Sequence, residues 1–299
     1  MKTTLFSILL LLSLLTAQAQ RQYTYCHHVY CHEMHIYSVP YTYFTPTVAR
    51  LIIDDTPANP YRKLICESTD QKAKKFFWAG YDSLARARSL FFRIKSYNSD
   101  QMTMAIVYFK GAIKEDPAFC DAYDNLIDCY FLTRQYDSAF KFIDKQRNSS
   151  IHSRLAKGVL YYEIQHDYEA AEKHFAALVK SNATAIYYYY LAMSQIKLKN
   201  IEAAKKSASA MEATLKSWND GWAMMEKNKL LLGVIACKEG DYENAFVELD
   251  RIKKEYNDHP IYCYYYGLAL SNKRESNTRK GRKFSKRATE LNYDPATMI

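Results

Sequence analysis

The chain has 299 residues, of which 48% are hydrophobic and 24% charged, and its formal net charge is +9. That balance is ordinary for a folded chain in water. Eight glycines and seven prolines are too few for a turn-rich fold and favour helices, while 27 tyrosines stand out. Tyrosine packs its ring and keeps its hydroxyl wet, which suits half-buried helix surfaces and ligand-contacting faces.

In chain order, Lys2 gives a short positive start, and residues 5–15 are apolar apart from serines. Ala17 and Ala19 then supply the small-x-small pattern of a signal peptidase site. The expectation is a cleaved signal at 1–19, a mature chain from Gln20, and export to a periplasmic or secreted location. No later stretch reaches 18 consecutive apolar residues, so no transmembrane segment is expected.

Residues 20–65 read as an irregular arm rich in Tyr, His and Cys. Cys26 to His35 packs four histidines and two cysteines into ten residues, donor types that zinc and copper accept. His28, Cys31, His32 and His35 are the metal-binding alternative. Against it, His32-Glu33-Met34-His35 is one residue short of the HExxH spacing, and no second ligand pair follows at zinc-site distance. The plainer reading is a tyrosine-rich arm with no cofactor, in which Cys26 and Cys31 are close enough in sequence that they could pair. Seven cysteines is an odd number at irregular spacings, so a disulfide framework is not expected to hold the fold. Cys120 and Cys129 fall on one helix, too far apart to bridge.

From 66 to 299 the chain repeats a phrase. Tyr123, Leu126, Ile127 and Tyr130 share a helix face, Gln135-Tyr136-Asp137 turns the chain, and Ala139, Phe142 and Ile143 line a second helix. Gly158, Asp167-Tyr168, Ala171 and Phe175 repeat it, as do Ala192, Asn200, Ala204 and Ala208. The clearest copy is Gly233, Gly240-Asp241-Tyr242, Ala245 and Leu249. Ala105, Phe109 and Ala112 belong to an earlier second helix. The turn-following alanines 105, 139, 171, 204 and 245 recur at 34, 32, 33 and 41 residues. Small residues at 158, 192 and 233 admit the paired helix closely, and the 41-residue step places an insertion at 217–222.

This phrase resembles the tetratricopeptide repeat, a helix-turn-helix unit of 34 residues. The resemblance implies an all-α, right-handed solenoid of five to six units with a basic C-terminal cap, whose concave face takes a protein or peptide; a tyrosine-rich groove also suits a glycan or envelope polymer, which is the alternative. Asp121, Asp124 and Asp128 form an acidic stripe on one first helix, read either as a groove for a cationic partner or as a solvated face. Tyr162, Tyr189, Lys197, Lys238 and Tyr264 are the corresponding first-helix positions elsewhere. Residues 273–287, from Lys273 to Arg287, hold eight Lys/Arg against one Glu. This basic segment reads as a solvated cap or as a site for an anionic partner, and nucleic acid is not expected. No catalytic motif is present, so the expectation is a non-enzymatic scaffold.

Overall fold

The computed structural model describes residues 25–27, 30–32, 68–94, 99–146, 151–218 and 222–293. The expected signal lies outside the described residues, as do His28 and His35, and only the backbone of Cys31 and His32 is described. Within the arm, Tyr25–His27 and Tyr30–His32 pair as a short antiparallel hairpin with Cys26 opposite Cys31.

The other described residues are mainly helical. They form, in order, α1 (Gln71–Ile94), α2 (Ser99–Glu115), α3 (Cys120–Leu132), α4 (Tyr136–Lys145) and α5 (Ile151–Val159), which continues as a π-helix over Leu160–Gln165. Then come α6 (Tyr168–Ser181), α7 (Ala185–Lys197), α8 (Ile201–Trp218), α9 (Trp222–Glu239), α10 (Tyr242–Asp250), the single turn α11 (Lys253–Tyr256), α12 (Pro260–Asn272) and α13 (Thr278–Glu290). Consecutive helices pack as six antiparallel pairs, α1/α2, α3/α4, α5/α6, α7/α8, α9/α10 and α12/α13, and each pair stacks on the next. One core therefore runs through the whole stack, as a solenoid requires.

One device makes the turn inside units two to five. A residue in the left-handed region ends each first helix: Arg134, His166, Lys199 and Gly240, at φ 58°, 53°, 62° and 79°. Only Gly240 takes that conformation without a Cβ penalty. The following N–H then reaches back to a first-helix carbonyl, Gln135 to Tyr130 at 2.8 Å, Asn200 to Gln195 at 2.8 Å and Asp241 to Ala236 at 2.9 Å. In the third unit Asp167 reaches one residue further, to Tyr161 at 2.9 Å, because the π-helix holds an extra residue. The same residue then starts the second helix: Asp167 accepts from the Ala170 N–H at 2.9 Å, Asn200 from Ala203 at 3.2 Å and Asp241 from Asn244 at 3.2 Å.

Packing inside each pair explains the small residues. The alanines at 105, 139, 171, 204 and 245 are fully buried. A Cβ on Gly158 would stand 2.4 Å from Phe175, and one on Gly233 would stand 2.5 Å from Leu249. Both partners lie four residues after the turn-following alanine. Ile127 replaces the small residue in the second unit, where its counterpart is Ile143 and both are buried. In the first unit Gly80 faces Phe109, and in the last Gly267 faces Gly281 and Ser285. Gly281 thus stands where the sequence shows no alanine, and it brings the two backbones together. The 41-residue step is absorbed by lengthening α8 and α9 to 18 residues each on either side of 219–221.

Candidate functional site: the inner helix row

The first helices α1, α3, α5, α7, α9 and α12 touch one another in succession and form one wall of the stack. All of the expected partner-binding residues lie on this row, but their exposure divides them. Asp121, Asp124 and Asp128 retain only 3%, 9% and 7% of their surface. Helix α3 meets α1, α2, α4 and α5, every one of its residues is buried, and each of the three aspartates already has an interaction within the chain. The solvated-stripe reading is therefore corrected, and the stripe is not an open groove for a cationic partner. Spacing along one helix shows which residues share a side; it cannot show how many neighbours that helix has.

Downstream the row is built from tyrosine and lysine. The π-helix carries Tyr162, which meets Tyr168 and Tyr190 edge-on at 5.5 and 5.8 Å. Tyr190 stacks on Phe175 at 5.1 Å. Tyr162 and Tyr189 keep 9% and 6% of their surface, so they support the wall and offer little to a partner. Burial raises the Tyr162 phenol well above its ordinary pKa, reinforced by nearby Tyr189 and Glu163. The run Tyr187 to Tyr190 leaves no ring exposed: 187, 189 and 190 are buried and 188 is half-buried.

The lysines lie over rings. Lys197 sits 4.9 Å from the Tyr168 ring, Lys227 4.7 Å from Tyr189, and Lys238 5.7 Å from Tyr265. Lys197 is half-buried and Lys238 exposed. Burial lowers the Lys238 pKa, and the Lys199 charge acts in the same direction. Half-buried Tyr264 stacks on Tyr293 at 4.7 Å. Sequence reasoning missed Lys227, buried Asn228 and Tyr293. The polar stretch Glu226 to Lys229, set between apolar residues of α9, was the available signal for the first two. For Tyr293 the signal was an aromatic just past the last helix.

The basic segment is partly tied down. Lys273 lies 4.7 Å from the Phe246 ring, and Arg287 pairs with Asp258 at 2.6 Å. Arg279, Arg282, Lys283 and Lys286 are exposed on the outer face of α13, while Gly281 and Ala288 are buried against the stack. Among the described residues there is no group of three or more His, Cys, Asp or Glu able to hold a metal. No described helix is long and apolar enough to cross a membrane.

Fold and wall together define an all-α helical-repeat solenoid of tetratricopeptide type. No protein-family model matches the chain, and no curated protein matches it. Solved structures do. A tetratricopeptide repeat protein from Parabacteroides merdae is similar at TM-score 0.53 and 14% identity, covering 77% of this chain and 96% of its own. YrrB, described as a TPR protein with an unusual peptide-binding site, is similar at TM-score 0.43 and 18% identity, over 64% of this chain and 95% of its own. The likeness to the Parabacteroides protein is one of fold.

Proposed function

We propose that this chain is an exported, non-catalytic scaffold that binds a protein or peptide along the inner row from α5 to α12. Lys197, Lys238 and Tyr264 make the contacts, and Tyr162 and Tyr189 hold the wall behind them. One observation carries this reading: three successive units each present an accessible side chain from the first helix, held against an aromatic ring. Rigid tyrosine with oriented cations gives contact area at low entropic cost, the composition of binding hot spots. Export is supported by the apolar segment at 5–15 and by the disulfide at Cys120, since structural disulfides persist in oxidising compartments.

The test compares the immobilised mature chain with a Lys197→Glu/Lys238→Glu/Tyr264→Ala variant whose helical signal and melting match the parent. A defined protein or peptide retained by the parent and held at least about tenfold more weakly by the variant supports the reading. Equal retention by both forms places binding elsewhere on the molecule.

A further inference from the structure

The last helix differs from the other second helices in the sign of its outer face. Helices α2, α4, α6 and α8 each carry two acids among their lysines. Helix α13 carries six Lys/Arg and a single acid, Glu290, at its final residue. Arg279, Arg282, Lys283, Lys286 and Arg287 stand at i, i+3, i+4, i+7 and i+8, so they line one side of the helix, and all five are exposed. Gly281 and Ala288 on the opposite side are buried. A Cβ on Gly281 would stand 2.7 Å from the Gly267 carbonyl oxygen, so α13 is pressed against α12 and its basic side is held outward. Arg287 pairs with Asp258 at 2.6 Å, and Lys286 lies 3.9 Å from Glu290. Arg279, Arg282 and Lys283 make no ion pair among the described residues. Like charges four apart destabilise a helix, and 279/283, 282/286 and 283/287 are three such pairs. A face that is only solvated gains stability from interspersed acids, and α13 forgoes that gain.

We propose that the outer face of α13 docks the chain onto an anionic phospholipid bilayer, with Arg279, Arg282 and Lys283 reaching the headgroup phosphates. The chemistry of the stripe selects this partner among polyanions. Phe284, the one aromatic of α13, is turned inward, edge-on to Tyr266 at 4.9 Å, so no ring is left on which a base could stack. None of the exposed large apolar residues lies on α13, so the face lacks the anchor that a protein interface is built around. What remains is a row of cations about 12 Å long, which several headgroups can meet at once. Such a row binds by electrostatic attraction without insertion, each cation contributing roughly fivefold in affinity. The stripe faces away from the stack, so docking through it leaves the inner helix row uncovered.

Sedimentation of the mature chain with vesicles of equal parts phosphatidylglycerol and phosphatidylcholine, against vesicles of phosphatidylcholine alone, tests this. The parent should bind the anionic vesicles only. Arg279→Gln/Arg282→Gln/Lys283→Gln should weaken that binding on the order of a hundredfold. Lys173→Gln/Lys180→Gln/Lys206→Gln removes the same charge from exposed positions on α6 and α8 and should leave it within about threefold. Equal binding by the parent and the α13 variant overturns the proposal, as does an equal loss in both variants, which would make net charge the cause. Tighter binding of polyglutamate or RNA than of the vesicles, lost in the α13 variant, would assign the stripe to an acidic polymer and also overturn it. Should the α13 variant fail to fold, salt decides on the parent alone. Raising it from about 0.05 to about 0.5 M should release the chain from the anionic vesicles, and retention at the higher value contradicts an electrostatic dock.

Discussion

Replacing Gly158 by alanine sets two effects against each other. Alanine is the better helix former by about 1 kcal/mol, so propensity alone makes the change stabilising. The added methyl, however, lands 2.4 Å from the Phe175 Cζ and 2.8 Å from both Cε atoms. Carbon atoms approach no closer than about 3.5 Å without repulsion, so the ring must retreat by roughly 1 Å. It has nowhere to go: Phe175 is fully buried and stacked on Tyr190 at 5.1 Å with 14° between planes. Overpacking of a core this tight costs about 3 kcal/mol, leaving a net loss of about 2 kcal/mol. In a chain of this size that lowers the melting temperature by about 4–8 °C. Thermal melts followed by circular dichroism measure it. Hydrogen exchange should localise the loss to α5, α6 and their neighbours, because solenoid units feel only adjacent units. Pairing the change with Phe175→Leu, which removes the clashing ring edge, should leave the double variant about 1 kcal/mol more stable than the sum of the singles. A Gly158→Ala chain that melts higher than the parent would refute the close helix approach.

Three further outcomes follow from single contacts. His174 is held neutral by burial, which lowers its pKa, while its Nε2–H donates to the Arg154 carbonyl at 2.8 Å. The unfolded chain therefore takes up this proton first, and stability should fall as pH drops below about 6.5, the ordinary histidine value, and be flat above it. Denaturant midpoints from about pH 7.5 down to pH 5 should show that limb, and His174→Gln should flatten it. Burial raises the Cys237 and Cys263 thiols to about 12. Iodoacetamide should leave both unlabelled in the native chain at neutral pH and label them once it is unfolded; rapid native labelling would contradict their burial. Asp241→Ala removes the acceptor for the Asn244 N–H at 3.2 Å and should cost about 1 kcal/mol, read as a lower denaturant midpoint.

The repeat was legible because each unit spells out its own close contact. Gly158, Gly233 and the fully buried alanines mark where helices meet, and the turn carries Asp or Asn to cap the next helix. Units whose spelling differs were harder to read. Gly80 lies 25 residues before Ala105, because α1 and α2 are long, and Gly281 does an alanine's work. The site was only half legible. First-helix positions could be assigned by register, so Lys197, Lys238 and Tyr264 fall on the row as expected. Exposure is a property of neighbours, and it separated those three from Tyr162, Tyr189 and the aspartates of α3. The disulfide at Cys120 was not legible either, since an odd count at irregular spacings gives no pairing rule.

Placing a photo-crosslinking amino acid at Lys238, at Tyr264 or at the outward-facing Val247, one position per chain, tests the inner-row reading most directly. One and the same partner should be captured from 238 and from 264, with none captured from exposed Val247 on the second helix α10. Capture from 247 alone would contradict that reading and move the binding surface to the outer helices.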